Sequence, residues 1–274
     1  MLYSVIMVHL DIDDPSSSRL QLALQLSEAF EAELVGFCAC NILTAATIEG
    51  DGSFQAQFLA QQTDDIKRRL DDVRNLFEDV TGDSVRTAWR GILGDPTAQL
   101  AKHARAADLI VSGFTEQSSE ASSLRAVDTG SLILSSGRPV LLVGTGKSSI
   151  AVDRVLVAWK DTREARRAVI DALPFLTLAS DVLVAAVDTG NHEDTSESLT
   201  DVLRFLMKHG VKVRTELLSN SRHVGETLLE TATAMQADLL VAGGFGHSRL
   251  REWVFGGVTR TLIAENSVHR FLSN

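Results

Sequence analysis

The sequence predicts an alternating α/β protein made of two tandem domains, each a five-stranded parallel sheet with helices on both faces. Three observations carry this. Short apolar runs alternate with amphipathic stretches along the 274 residues, the pattern of βαβ units. The apolar runs lack strict alternation, as strands buried on both faces do. The chain also repeats itself. Ala107-Asp108-Leu109-Ile110-Val111-Ser112-Gly113-Phe114 returns as Ala237-Asp238-Leu239-Leu240-Val241-Ala242-Gly243-Gly244, and Ser4-Val5-Ile6-Met7-Val8 is matched by Arg154-Val155-Leu156-Val157-Ala158. Two copies of so long a unit mean two domains rather than a solenoid, and the length suits that number. The Gly/Ser stretch 144–149 is the expected join, giving domains at 1–146 and 151–274.

The elements follow in order. Residues 3–10 read as a strand. Residues 16–30 carry Leu20, Ala23, Leu24 and Ser27 at helical spacing, after Pro15 and serines that suit a helix start. Residues 33–40 form a second strand and 41–55 a polar loop. Residues 57–80 put Leu59, Ile66, Leu70, Val73 and Leu76 on one side of a long amphipathic helix. Strand 84–90, helix 96–104, strand 108–112, helix 128–135 and strand 139–143 complete the first half. In the second half the strands fall at 155–159, 181–187, 211–218, 238–242 and, weakly, 268–272. Its helices fall at 163–173, 197–209, 224–235 and 258–265. His269 and Arg270 make the last strand unusually polar, which reads as an edge position. It and 139–143 are the strands expected to pair the two domains within the chain, with homodimerisation left open.

Composition limits the partners. A formal charge of −10 disfavours nucleic acid and anionic membrane. No run of about 18 apolar residues is present, and Met1-Leu2-Tyr3 leads straight into a strand with no signal-peptide features, so a cytoplasmic location is expected. Cys38 and Cys40 are the only cysteines and read as small strand residues, not metal ligands. No metal site is expected.

The feature that points to a ligand is Gly243-Gly244-Phe245-Gly246, followed after nine residues by Gly256-Gly257-Val258-Thr259. Glycines after a buried strand and at the start of the next helix leave backbone N–H groups free to face an anion, with no Cβ in the way. In such sheets ligands bind beyond the carboxyl ends of the strands, where strand order reverses.

This strand order, with Gly-x2-Gly-x9-Gly after the fourth strand, resembles the universal stress protein family. The resemblance covers residues 154–274 and, in diverged form, 3–144. It implies two Rossmann-like domains of the adenine nucleotide α-hydrolase-like type. It also implies an ATP site in the second domain, with or without Mg2+. Gly243 and Gly246 would shape the loop around the phosphates, while Gly256, Gly257 and Val258 would donate N–H groups and Thr259 a hydroxyl. Adenine would lie near Val157, Ala158 and Val187. Lys160 stands where the family carries an Asp, and Gly257 where it carries Ser or Thr. The segment His247-Ser248-Arg249 reads equally as a solvated loop or as one that brings Arg249 or Arg251 near a phosphate. In the first domain Glu116 replaces the second glycine and would repel a phosphate, so that half is not expected to bind a triphosphate in the family's way.

No P-loop, nucleophile elbow or His-Glu-x2-His pair occurs, so no catalytic residue is assigned. The readings are an ATP-binding sensor or regulator, a slow ATPase assisted by Lys160 or Arg249, and an interaction module without nucleotide. Elsewhere bland readings prevail. His9 reads as structural, and Asp11, Asp13 and Asp14 as a turn with helix-capping acids. His192, Glu193 and Asp194 read as a solvated loop, the run 64–69 as an exposed helix face, and Trp253 as packing for its loop.

Overall fold

The computed structural model describes residues 3–42, 52–82, 86–113, 125–150, 152–188, 190–219, 223–245 and 257–274. The first half runs β1 (Val5–His9), α1 (Ser17–Phe30), β2 (Glu33–Cys40), α2 (Gly52–Thr81), β3 (Thr87–Leu93), α3 (Pro96–His103), β4 (Leu109–Gly113), α4 (Thr129–Ser135) and β5 (Val140–Val143). The second runs β6 (Arg154–Trp159), α5 (Arg163–Asp171), α6 (Leu173–Leu176), β7 (Asp181–Asp188), α7 (His192–Lys208), β8 (Val213–Ser219), α8 (Val224–Ala234), β9 (Leu239–Gly243), α9 (Gly257–Ala264) and β10 (His269–Ser273).

All ten strands join one sheet in the order β3-β2-β1-β4-β5-β10-β9-β6-β7-β8. Pairing is parallel within each half. At the seam β10 runs antiparallel to β5, with Arg270 opposite Leu142 and Leu272 opposite Val140. Successive strand residues point to opposite faces, so the strands feed two apolar layers. One lies under α1, α2, α5, α6 and α7, and the other under α3, α4, α8 and α9. Aromatic rings tie the halves together on the first side. Phe175 of α6 lies 5.6 Å from Tyr3, 5.4 Å from Phe30 and 5.8 Å from Phe271, and Tyr3 donates its hydroxyl to the Asp171 carbonyl at 2.6 Å.

The repeated Ala-Asp-Leu motif acquires a physical role. Asp108 Oδ2 accepts the N–H groups of Ser4 (2.8 Å) and Val5 (3.0 Å), and Asp238 Oδ2 accepts those of Asp153 (3.1 Å) and Arg154 (2.8 Å). In each half the fourth strand's leading carboxylate thus satisfies the otherwise orphaned donors that open the first strand.

Several expectations shift. The helix expected at 163–173 divides into α5 and α6 around Ala172, with Pro174 at the start of the second piece. The one expected at 197–209 begins earlier, at His192. His192, Glu193 and Asp194 are therefore not a loop but the first turn of α7, where acids complement the helix dipole. The expected 84–90 strand is β3, displaced to Thr87–Leu93. β10 is not an edge strand, since it lies between β9 and β5 with every residue buried. Its polar residues have other tasks. His269 Nδ1 accepts the Gly144 N–H at 3.2 Å and its Nε2 faces the Ser149 carbonyl at 3.3 Å, pinning the join between the halves. The capping residue of α1 is Ser16, not one of the aspartates. Asp11 instead pairs with Arg19, and Asp13 with Arg69 and Arg125.

Candidate functional site

Strand order reverses once in each half, between β1 and β4 and between β6 and β9. In the second half, register sets Ala158 beside Ala242 at the carboxyl ends of β6 and β9. The N-terminus of α5 lies over these ends, capped by Thr162, whose Oγ1 accepts the Ala165 N–H at 3.2 Å. Gly243 permits that approach, because a Cβ there would fall 2.5 Å from Ala165 N and 2.7 Å from Glu164 C. Part of the glycine signal therefore serves helix packing.

Beyond β9 the chain is clipped in place. Gly244 N–H donates to the Ser273 carbonyl at 2.7 Å, and Asn274 Nδ2 donates to the Gly244 carbonyl at 2.7 Å. Phe245 is held at φ 58°, a left-handed conformation costly for an aromatic residue, and its N–H donates to Thr259 Oγ1 at 3.3 Å. Thr259 thus fastens the outgoing turn to α9. Gly257 opens α9, exposed, with nothing within 4 Å of where its Cβ would stand.

Ala158 and Val187 both pack in the layer under α8 and α9, whereas Val157 belongs to the opposite layer. Lys160 is exposed just past β6. Of the expected site residues, Ala158 and Gly243 meet at the strand ends beside α5, Thr259 is tied to the turn after β9, Val187 shares the layer of Ala158 and Val157 is turned away. Gly246, Arg249, Arg251, Gly256 and Trp253 lie outside the described residues, as does Glu116.

The first half answers this arrangement residue for residue. Ile6 pairs with Leu109 as Val155 does with Leu239, so His9 takes the place of Ala158 and Asp11 that of Lys160. The caps Ser16 and Thr162 both bond the residue three further on, so Arg19 takes the place of Ala165. Two alanines in one half are a histidine and an arginine in the other. Arg19 lies across Gly113, where a Cβ would fall 1.9 Å from its Nη2. Its Nη1 donates to the His9 carbonyl at 2.8 Å and to Asp11 Oδ2 at 2.9 Å. Burial pushes the His9 imidazole down to about 4; Asp11 opposes this and Arg19 adds to it. Burial also opposes ionisation of Asp11, but His9 and Arg19 hold its carboxyl below the ordinary value. Both cysteines are buried free thiols whose titration burial pushes upward, so they remain protonated and inert.

Sequence reasoning missed Arg19. The signal was present in the two capped helix starts, Ser16-Ser17-Ser18-Arg19 and Thr162-Arg163-Glu164-Ala165, which differ at the position that meets the switch point.

These features define a doubly wound α/β protein whose second half has small residues, Ala158, Ala165 and Gly243, at the carboxyl ends of its strands. Residues 151–268, the bulk of the second half, match the Universal stress protein family. A curated relative, universal stress protein Slr1230 of Synechocystis, is 26% identical over 140 residues, covering 50% of this chain and 47% of that protein. The chain thus spans about half the length of the curated relative it matches. The fold of a universal stress protein from Archaeoglobus fulgidus is similar over 98% of this chain and 96% of that one, with TM-score 0.74 at 17% identity. A functionally unknown protein from Pseudomonas aeruginosa is similar over 99% and 92%, with TM-score 0.59 at 15% identity. At such identities the likeness speaks for the fold. Among the described residues no helix is long and apolar enough to cross a membrane.

Proposed function

We propose that the second half binds an adenine nucleotide, ATP foremost, and that the chain acts as a cytoplasmic stress-response sensor or regulator. One observation carries the reading: Ala158 and Ala165 stand at the switch point where the first half has His9 and Arg19. The same scaffold is filled by its own side chains in one half and lined by methyl groups in the other. The start of α9 at Gly257 is exposed, with no atom within 4 Å of its Cβ position, so its N–H groups would receive a phosphate, and the exposed Lys160 would add a cation. The triphosphate would rest on these groups, with Mg2+ accompanying it or not, while the base would lie over Ala158 and Val187.

The test is calorimetric titration of the purified chain with ATP, together with mass spectrometry of whatever it releases on denaturation. The expected result is one nucleotide per chain. Gly246→Glu, which copies the carboxylate of the first half, should abolish binding, and Lys160→Ala should weaken it. Two nucleotides per chain, or none at millimolar ATP, would overturn the reading.

A further inference from the structure

Among the described residues Arg270 is the largest side chain buried completely, at 0% exposure. It lies on β10 at the seam between the halves, flanked by Leu142 of β5 and Leu240 of β9. All of these belong to the layer under α4 and α9, which at this point is built of leucine, isoleucine and valine. By strand register, Arg270 takes the place that Val140 takes in the first half: Leu240 pairs with Arg270 as Ile110 does with Val140.

Its hydrogen bonding is one-sided. Nη1 donates to the Ile263 carbonyl near the end of α9 at 3.1 Å. Nε and Nη2 are buried and have no partner. These two nitrogens form the edge of the guanidinium that grips an anion with two parallel N–H bonds. Among the described residues no carboxylate lies within ion-pair distance of it. The acid that most influences it, Glu265, spends its Oε1 on the Ser267 N–H at 2.6 Å.

A buried lysine or histidine in such a setting escapes by shedding its proton. An arginine does not. Burial lowers the Arg270 pKa only to about 10, so the cation persists at neutral pH. A full charge with two orphaned donors in an apolar layer requires compensation, and a bridging water would satisfy the donors without neutralising the charge.

We propose that the Nε/Nη2 edge of Arg270 holds a small monovalent anion of chloride size, buried at the seam between β5 and β10 and joining the two halves. The proposal is independent of the nucleotide reading, since the site lies on the seam and uses none of the residues of that reading.

Thermal unfolding of the full chain is followed while chloride replaces gluconate at constant ionic strength. The transition should rise saturably with chloride. At ten times the dissociation constant the folded-to-unfolded ratio should be about elevenfold higher. Arg270→Met, of similar volume, should remove that dependence, and Glu265→Gln should keep it. Arg270→Lys, which retains the charge but not the fork, serves if the methionine variant does not fold, and should weaken the dependence. In crystals grown with bromide, an anomalous peak should lie between Nε and Nη2. Chloride dependence persisting unchanged in Arg270→Met, its loss in Glu265→Gln, or a bromide-treated crystal with only water at the fork would each overturn the assignment.

Discussion

Gly243→Ala separates the packing role of the glycine run from its ligand role. A Cβ at 243 would lie 2.5 Å from Ala165 N, 2.7 Å from Glu164 C and 2.9 Å from Ala165 Cα. Favourable contact begins near 3.5 Å, so the first turn of α5 would have to retreat by about 1 Å. All three neighbours are backbone atoms, and no rotamer change relieves them. Overpacking of this kind costs about 1–3 kcal/mol, and the upper part of that range applies because α5 is also pinned by the Thr162 cap. Gly257→Ala is the control. Its Cβ would enter open space, and alanine is preferred to glycine within a helix by about 0.5–1 kcal/mol. Urea unfolding followed by circular dichroism should give a lower midpoint for Gly243→Ala and an equal or higher one for Gly257→Ala. If nucleotide binds as proposed, the second variant should nonetheless lose affinity, because its methyl group intrudes where a phosphate meets the helix. Equal midpoints for Gly243→Ala and the parent would refute the close-approach argument.

Two further outcomes are expected. Asp238→Ala leaves the Asp153 and Arg154 N–H groups without their acceptor and should cost about 1.5 kcal/mol. Asp238→Asn retains an acceptor and should recover most of that, so identical melting of the two variants would contradict the role given to the repeated Asp. Stability should also fall on acidification between about pH 6.5 and 4. His9 and His269 each titrate at about 4 in the folded chain, chiefly through burial, and near 6.5 when unfolded. The unfolded state therefore takes up protons first, and the stabilisation present above 6.5 is lost as pH falls, on the order of 3 kcal/mol per histidine. Urea midpoints from pH 7.5 to 4.5 measure this, and a flat profile would show that neither ring is held neutral by folding.

Much of this architecture was legible because its causes are local. Strand and helix periodicity, the tandem repeat and the glycine spacing all follow from neighbouring residues, and the order of elements came through accordingly. The misreadings of β10 and of Asp13 arise from contacts distant along the chain. β10 looked like an edge because His269 and Arg270 are polar. Its central place depends on β5, more than a hundred residues away, and on the linker carbonyl that receives His269. Asp11 and Asp13 looked like capping acids because a helix follows them. Their partners are Arg19, Arg69 and Arg125, the last two reached only through folding. The facing of the strand residues was not legible: Val157 and Ala158, both expected near a base, are adjacent in sequence and point into opposite layers.

The two halves diverge in a coupled way, and electrostatics explains why the substitutions travel together. Arg19 alone, over Gly113, would be a buried cation in need of acceptors, and it finds them in the His9 carbonyl and the Asp11 carboxylate. Asp11 alone would be a carboxylate pushed toward protonation by burial, and the guanidinium keeps it ionised. His9 fills the remaining space as a neutral ring. Arg19 and Asp11 are each costly without the other, so removing either one should destabilise the first half more than removing both. The second half has none of the three. Alanines at 158 and 165 bring no charge to compensate, and Lys160 stands where Asp11 would be, outside and solvated. On the proposed reading an anion would meet Lys160 and the start of α9 there, whereas in the first half it would have to displace an ion pair already made. The asymmetry between the halves is thus one of prior occupation, set by side chains on a common backbone.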